Sequence, residues 1–208
     1  MNRKLKLLGI ATLLAACSSV PVGDRPFASE ADLLQVQAVL KRDIHARGSA
    51  TLARLQPDAV QQACNLHGNQ PPEQVEKALE AGQMAAIRFP AGGFSGDWKR
   101  GERIAQNGRG LQWNDGPKDV AGGSCYNCHE LSPQEASHGT VGPSLRGFGK
   151  TRGNTPETQK YAYGRIYNSK AYKLCSQMPR LGQSGTLSEQ QIKDLVAYLV
   201  DPESPVNK

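Results

Sequence analysis

Cys125-Tyr126-Asn127-Cys128-His129 decides how this chain is read. Two cysteines separated by two residues, with histidine directly behind the second, have the spacing that fixes haem covalently. Thioether bonds to the two porphyrin vinyl groups hold one helical turn against the haem edge, and the adjacent imidazole then stands under the iron as proximal ligand. The iron requires a sixth ligand from elsewhere.

Other uses of the motif fit less well. A thioredoxin-like redox pair needs a βαβ frame, and neither alternating strands nor an apolar run precedes Cys125. A zinc site needs four ligands in paired spacing, and the chain has no second Cys-x-x-Cys and no His-x-x-x-His. A disulfide inside the pair leaves His129 idle.

Working outward, the segment after the motif holds the residues that tune such an iron. Gly142-Pro143-Ser144-Leu145 sits where, in class I cytochromes c, a proline carbonyl accepts the Nδ1 proton of the proximal histidine; an ordinary Gly-Pro turn is the alternative. For the sixth ligand the expectation is Met178, one of three methionines, lying downstream of the motif with Pro179 to stiffen its loop. Met84 falls inside an expected helix and reads as core, and Met1 leaves with the leader. His138 is the bis-histidine alternative, nine residues beyond His129 on the proximal-side loop. His45 and His67 read as surface residues near helix ends.

Two helices should frame this segment. Asp97 can cap a helix carrying Trp98, Ile104 and Ala105 that ends at Asn107-Gly108. Ser188-Glu189-Gln190-Gln191 is a capping box, followed at helical spacing by Ile192, Leu195, Val196, Leu199 and Val200 until Asp201-Pro202. A class I cytochrome c opens and closes with such helices, which cross with apolar side chains at the crossing. The expected fold is therefore all-α, a class I cytochrome c fold over residues 94–208, preceded by a helical extension over 29–93.

That extension offers three helical stretches. Ser29-Glu30-Ala31-Asp32 caps the first, which places Leu33, Val36, Leu40 and Ile44 on one face and ends at Gly48. A second follows Pro57 through Val60 to Leu66 and stops at Gly68. A third starts near Pro72 and carries Val75, Leu79 and Ile87 before Pro90.

Residues 1–16 read as a leader: Arg3, Lys4 and Lys6, then the apolar run Leu7 to Leu14, too short to span a bilayer as a helix. Leu14-Ala15-Ala16-Cys17 resembles a bacterial lipobox, so Cys17 is expected to be acylated and to hold a periplasmic chain at a membrane surface; ordinary leader cleavage nearby is the alternative. Residues 17–28 then form a flexible tether.

The net charge is +6 over 208 residues, and loss of Arg3, Lys4 and Lys6 with the leader lowers it to +3. Residues 17–93 hold 7 basic and 8 acidic side chains and residues 94–208 hold 15 and 11, so the excess lies with the haem segment. Nucleic acid is not an expected partner, because the cations are interspersed and no aromatic platform accompanies them. Between 139 and 182 there are eight basic side chains against Glu157 alone, which suits docking with an acidic redox protein or, at Arg180, a haem propionate; a simply solvated rim is the equal alternative.

Cys64 and Cys175 remain of five cysteines. In an exported chain two leftovers most economically form a disulfide, here closing a loop of about a hundred residues worth ~4.7 kcal/mol in the chain-entropy account. The competing use is Cys175 as a thiolate ligand in place of Met178.

Gly122-Gly123-Ser124-Cys125-Tyr126-Asn127-Cys128-His129, the run Gly139 to Leu145, and Cys175-Ser176-Gln177-Met178-Pro179-Arg180 together resemble SoxX, the monohaem subunit of the SoxAX cytochromes, over residues 94–204. The extension with Cys64 looks like the longer members. Leu181 departs from the family, which commonly has phenylalanine after Met-Pro-Arg. The resemblance implies one haem c, a SoxA partner subunit, and transient contact with the SoxYZ carrier, to whose cysteine thiosulfate is joined with release of two electrons, and with an acceptor cytochrome c. The family assigns the sulfur chemistry to SoxA, and this chain shows no nucleophile, base or oxyanion site of its own. Two other functions stay open: a free-standing exported cytochrome c serving an oxidase, and a gas-binding haem protein with an open iron site.

Overall fold

The computed structural model describes residues 29–116 and 119–208. The leader and Cys17 lie outside them. Among the described residues the chain is helical, with a single isolated bridge between Arg47 and Ala50 and no strand.

The frame of the haem segment is a pair of crossed helices, α4 (Trp98–Gln106) and α7 (Glu189–Val200). The Asp97 carboxylate starts α4 by accepting from the Lys99 and Arg100 amides at 2.8 and 3.1 Å. Ser188 and Gln191 start α7 as a reciprocal box. The helical stripe of α7 is fully used: Ile192, Leu195, Val196, Leu199 and Val200 are all buried. A glycine, more than apolar bulk, makes the crossing. A Cβ on Gly101 would lie 2.1 Å from the Asp194 carbonyl oxygen and 2.7 Å from Tyr198 Cβ, so the backbones meet at a separation only glycine allows.

A charge pair locks the same crossing. Arg100 donates through Nε and Nη2 to the Asp194 carboxylate at 2.8 and 2.9 Å, and the Asp97 amide adds a third bond at 2.9 Å. Burial of Asp194 opposes ionisation, but these donors outweigh it and hold its carboxyl below the usual range.

Between the frame helices lie a short helix α5 (Phe148–Arg152) and a longer one, α6 (Pro156–Tyr167), which packs on α7 through Ala162, Tyr163 and Ile166. Helix α6 was not foreseen, although Thr155 caps it and Pro156 stands at its first turn. The Tyr163 ring stacks on Tyr167 and meets Phe89 and Phe94 at a tilt, and its hydroxyl donates to the Arg88 carbonyl at 3.2 Å, which joins the extension to the haem segment.

In the extension, α1 (Glu30–Asp43), α2 (Ala59–Leu66) and α3 (Glu73–Ala85) occupy the expected stretches. Helix α1 stops short of Gly48: Ile44 is already extended, and Gly48 falls in the turn between Arg47 and Ala50. Ile87 lies beyond the end of α3. No residue of α1 is buried, whereas α2 contributes Val60 and Cys64 to a small core with Leu174, flanked by Leu79 and Cys175.

Candidate haem site

The motif forms one tight turn, Cys125–Asn127, entered through Ser124 in the left-handed region at φ +47°. The Cys128 and His129 amides both donate to the Cys125 carbonyl, at 3.1 and 2.9 Å. This single helical turn presents both thiols and the imidazole from one short stretch. Neither Cys125 nor Cys128 is in a disulfide, and burial pushes the Cys125 thiol up to about 12, so the sulfur is neutral at physiological pH before any attachment.

The imidazole is fixed from behind. His129 Nδ1 donates to the Pro143 carbonyl oxygen at 2.7 Å, since the carbonyl can only accept. Nε2 is thereby left as the basic nitrogen, the tautomer that a metal-binding histidine requires. Gly142 makes room for the ring: a Cβ there would come within 2.2 Å of His129 Cε1 and 2.5 Å of Nδ1. The Gly142 amide also donates to the Cys128 carbonyl at 2.8 Å, which ties the Gly-Pro turn to the cysteine turn.

Met178 is half-buried and packs on the same core as Cys125 and Tyr126. Its loop is hydrogen-bonded on both sides: the Ser169 hydroxyl donates to the Met178 carbonyl at 2.5 Å, and the Met178 amide donates to Ser176 Oγ at 3.2 Å. The Lys170 ammonium donates to the Ser176 carbonyl. Leu181 is buried and approaches the glycines before Cys125, its Cδ1 lying 3.7 Å from where a Gly123 Cβ would stand.

Cys64 and Cys175 form a disulfide that joins α2 to the loop carrying Met178. Arg180 turns toward the extension: Nη2 pairs with Asp58 at 2.5 Å and Nη1 donates to Gln83 Oε1 at 3.4 Å. Burial of Asp58 works against its ionisation, yet the Gln61 amide and the Arg180 guanidinium hold it below the usual carboxylate range. Burial, followed by the Arg180 charge, lowers Lys170. Met84 is 38% exposed on α3, and His45, His67 and His138 are exposed, His138 bonding only the neighbouring Gly139 carbonyl at 3.1 Å.

The residues present suit a porphyrin held by sulfur: two thiols on one turn, an imidazole locked in one tautomer, and a half-buried thioether on a fastened loop. Among the described residues no three His, Cys, Asp or Glu side chains gather as metal ligands on their own. Ser169, Asp58 and Gln83 belong to this site's support and escaped sequence reading, because polar residues far apart in the chain carry no local signal.

Residues 98–201 match the cytochrome c family. A lipoprotein of Aquifex aeolicus (strain VF5), described as uncharacterized, is 41% identical over 154 residues, covering 73% of each chain. SoxXA from P. pantotrophus is 25% identical over 57% of this chain and 90% of that one, with a TM-score of 0.41. This chain belongs to the cytochrome c family, has the class I fold, and carries one covalently bound haem c for electron transfer.

Proposed function

We propose that this protein is the electron-relay subunit of a SoxAX-type complex that oxidatively joins thiosulfate to a carrier cysteine, exported to the periplasm and held at a membrane surface through acylated Cys17. Bound haem c supplies a one-electron couple between ferric and ferrous iron. Cys125 and Cys128 would hold the group covalently, and His129 nitrogen and Met178 sulfur would serve its iron. The Pro143 carbonyl would keep the imidazole in the ligating tautomer. With His129 and Met178 both serving the iron, substrate would have no access to it, so the chain would move charge and leave the sulfur chemistry to its partner.

The observation that carries this reading is the Cys175-Ser176-Gln177-Met178-Pro179-Arg180 loop, with Cys175 bonded to Cys64 three residues before the thioether. A neutral thioether favours ferrous iron, so a haem held by Met178 would sit at a higher potential than a thiolate-ligated neighbour and could accept its electrons. The name of the Aquifex relative agrees with the lipidation read from Leu14-Ala15-Ala16-Cys17.

The test is purification of the native protein with its bound partner, followed by spectroscopy. A SoxA-type cytochrome with a cysteine-ligated haem, and thiosulfate-dependent reduction of this chain's haem in the presence of the carrier, are expected. Isolation of a partnerless cytochrome that reduces an oxidase directly establishes the free-standing alternative instead. Carbon monoxide binding by the native ferrous form establishes an open iron site.

A further inference from the structure

One of the places where the extension lies against the haem segment is the loop around Met178. Its attachments fall on both sides of the methionine. Before it, the Leu174 amide donates to Glu80 Oε1 at 2.8 Å, Cys175 is bonded to Cys64, and Lys173 pairs with Glu76 at 3.4 Å. After it, Arg180 reaches Asp58 and Gln83. Only Ser176, Gln177, Met178 and Pro179 lie between the disulfide and the guanidinium. Gln83 holds the floor of the loop as well, accepting from Asn168 Nδ2 through its side chain at 3.1 Å and its carbonyl at 3.2 Å.

The attachments differ in chemistry and in how firmly they are placed. Leu174 is fully buried, so its bond is sheltered from water, whereas the Arg180–Asp58 pair is sheltered on the arginine side, at 18% exposed, and open on the aspartate side, at 42%. The Lys173–Glu76 pair is exposed on the lysine side and adds little. A weak intramolecular ligand competes with added ligands through its effective concentration, which falls as the loop bearing it gains open states. Fastening both ends of a four-residue span removes those states.

We propose that α2 and α3 form a strap that keeps the Met178 sulfur available to iron, with Asp58, Glu80 and Gln83 as positioning residues acting through Arg180, Leu174 and Asn168. This rests on Met178 being the sixth ligand. The disulfide makes the strap releasable: a dithiol opens it by exchange, the two sulfurs leaving as the Cys64 and Cys175 thiols while the dithiol closes to its own disulfide.

The experiment uses the full mature holoprotein with haem iron reduced by ascorbate in every sample. Asp58→Asn retains an N-cap for α2 and removes the charge that Arg180 meets, and Gln83→Ala removes the second partner. The double variant should bind carbon monoxide about tenfold more tightly than wild type, ~1.4 kcal/mol, and show a lower midpoint potential. Glu80→Ala should do the same, while Glu80→Gln, which keeps an acceptor for the Leu174 amide, should stay native. Wild type treated with a dithiol provides the second measurement, free of any folding defect in the variants, and should also gain carbon monoxide binding. Unchanged ligand binding and potential after reduction of the disulfide, and in the folded double variant, overturn the strap. Met178→Ala separates the two claims: if it leaves spectrum and ligand binding untouched, the ligand assignment fails and takes the strap with it, whereas an effect there with silent strap changes overturns the strap alone.

Discussion

The Met178 thioether and the seat of the His129 ring can each be tested singly. Met178→Ala should leave haem attached, since the thiols are untouched, but open the iron to added ligands. It should also lower the midpoint potential by ~59 mV for every tenfold loss of preference for ferrous iron. Redox titration and carbon monoxide binding of the purified variant measure both. At the other side, Gly142→Ala places a methyl 2.2 Å from His129 Cε1. The ring or the Gly-Pro turn must give way, at a cost of about 1–3 kcal/mol typical of overpacking. A lowered unfolding midpoint in denaturant, with a shift in the haem absorption bands, is the expected result.

At this scale the sequence spoke clearly wherever the chemistry is local. Cys125, Cys128 and His129 fall within one turn, so their spacing alone announces them. Pro143 was read from its place in class I cytochromes c, with an ordinary Gly-Pro turn as the alternative, and its carbonyl lies 2.7 Å from His129 Nδ1. Arg180 was read toward a propionate, while the structure gives its guanidinium to Asp58 and Gln83. That destination depends on how the extension folds back, which no local pattern encodes.

Among the elements, the α4–α7 crossing is the joint that positions the cysteine turn. Its caps and its stripe were readable, but the Arg100–Asp194 pair and the Gly101 seat were not, since each links residues about ninety positions apart. Asp194 sits nearly out of water, and Arg100 is 49% exposed, so the pair is screened on one side. Asp194→Asn should destabilise the fold by about 1–3 kcal/mol at neutral pH, the range for losing charge-assisted bonds at a sheltered acceptor. The folded-state carboxyl titrates below its ordinary value, so this stability is fully present above the unfolded-state titration and is lost as pH falls through the folded one. The gap between wild type and variant should therefore stay constant at neutral pH and close in acid. Thermal melts from pH 7 downward check it, and a gap that widened in acid would contradict the assignment.

Helix α6 shows why a weaker stripe is easily missed. Its buried face is Ala162, Tyr163, Gly164 and Ile166, two small residues, an aromatic and one aliphatic, a pattern interrupted by Arg165 and preceded by Lys160. The Thr155-Pro156 start was the available signal. Helix α1, in contrast, has a clear cap and periodicity but buries nothing, so a readable helix need not be a core element.

For the whole molecule, the Cys64–Cys175 bond spans 111 residues and joins the extension to the distal loop. The chain-entropy account assigns it about 4.7 kcal/mol, and each kcal/mol shifts Tm by about 2–4 °C in a domain of this size. Cys64→Ser should lower Tm by an amount on that scale. In the unreduced native protein Cys64 should resist alkylation, and free labelling of it would remove the bond from the account. The cysteine pairing was legible only by elimination, once the haem motif and the lipobox had claimed the other three.

The central claim is that one haem c is bound covalently through Cys125 and Cys128, and intact mass spectrometry of the mature, correctly matured protein tests it most directly. The account predicts the polypeptide plus one haem, with the added mass on the peptide that contains Cys125-Tyr126-Asn127-Cys128-His129. A bare polypeptide with two alkylatable thiols at 125 and 128 would contradict it.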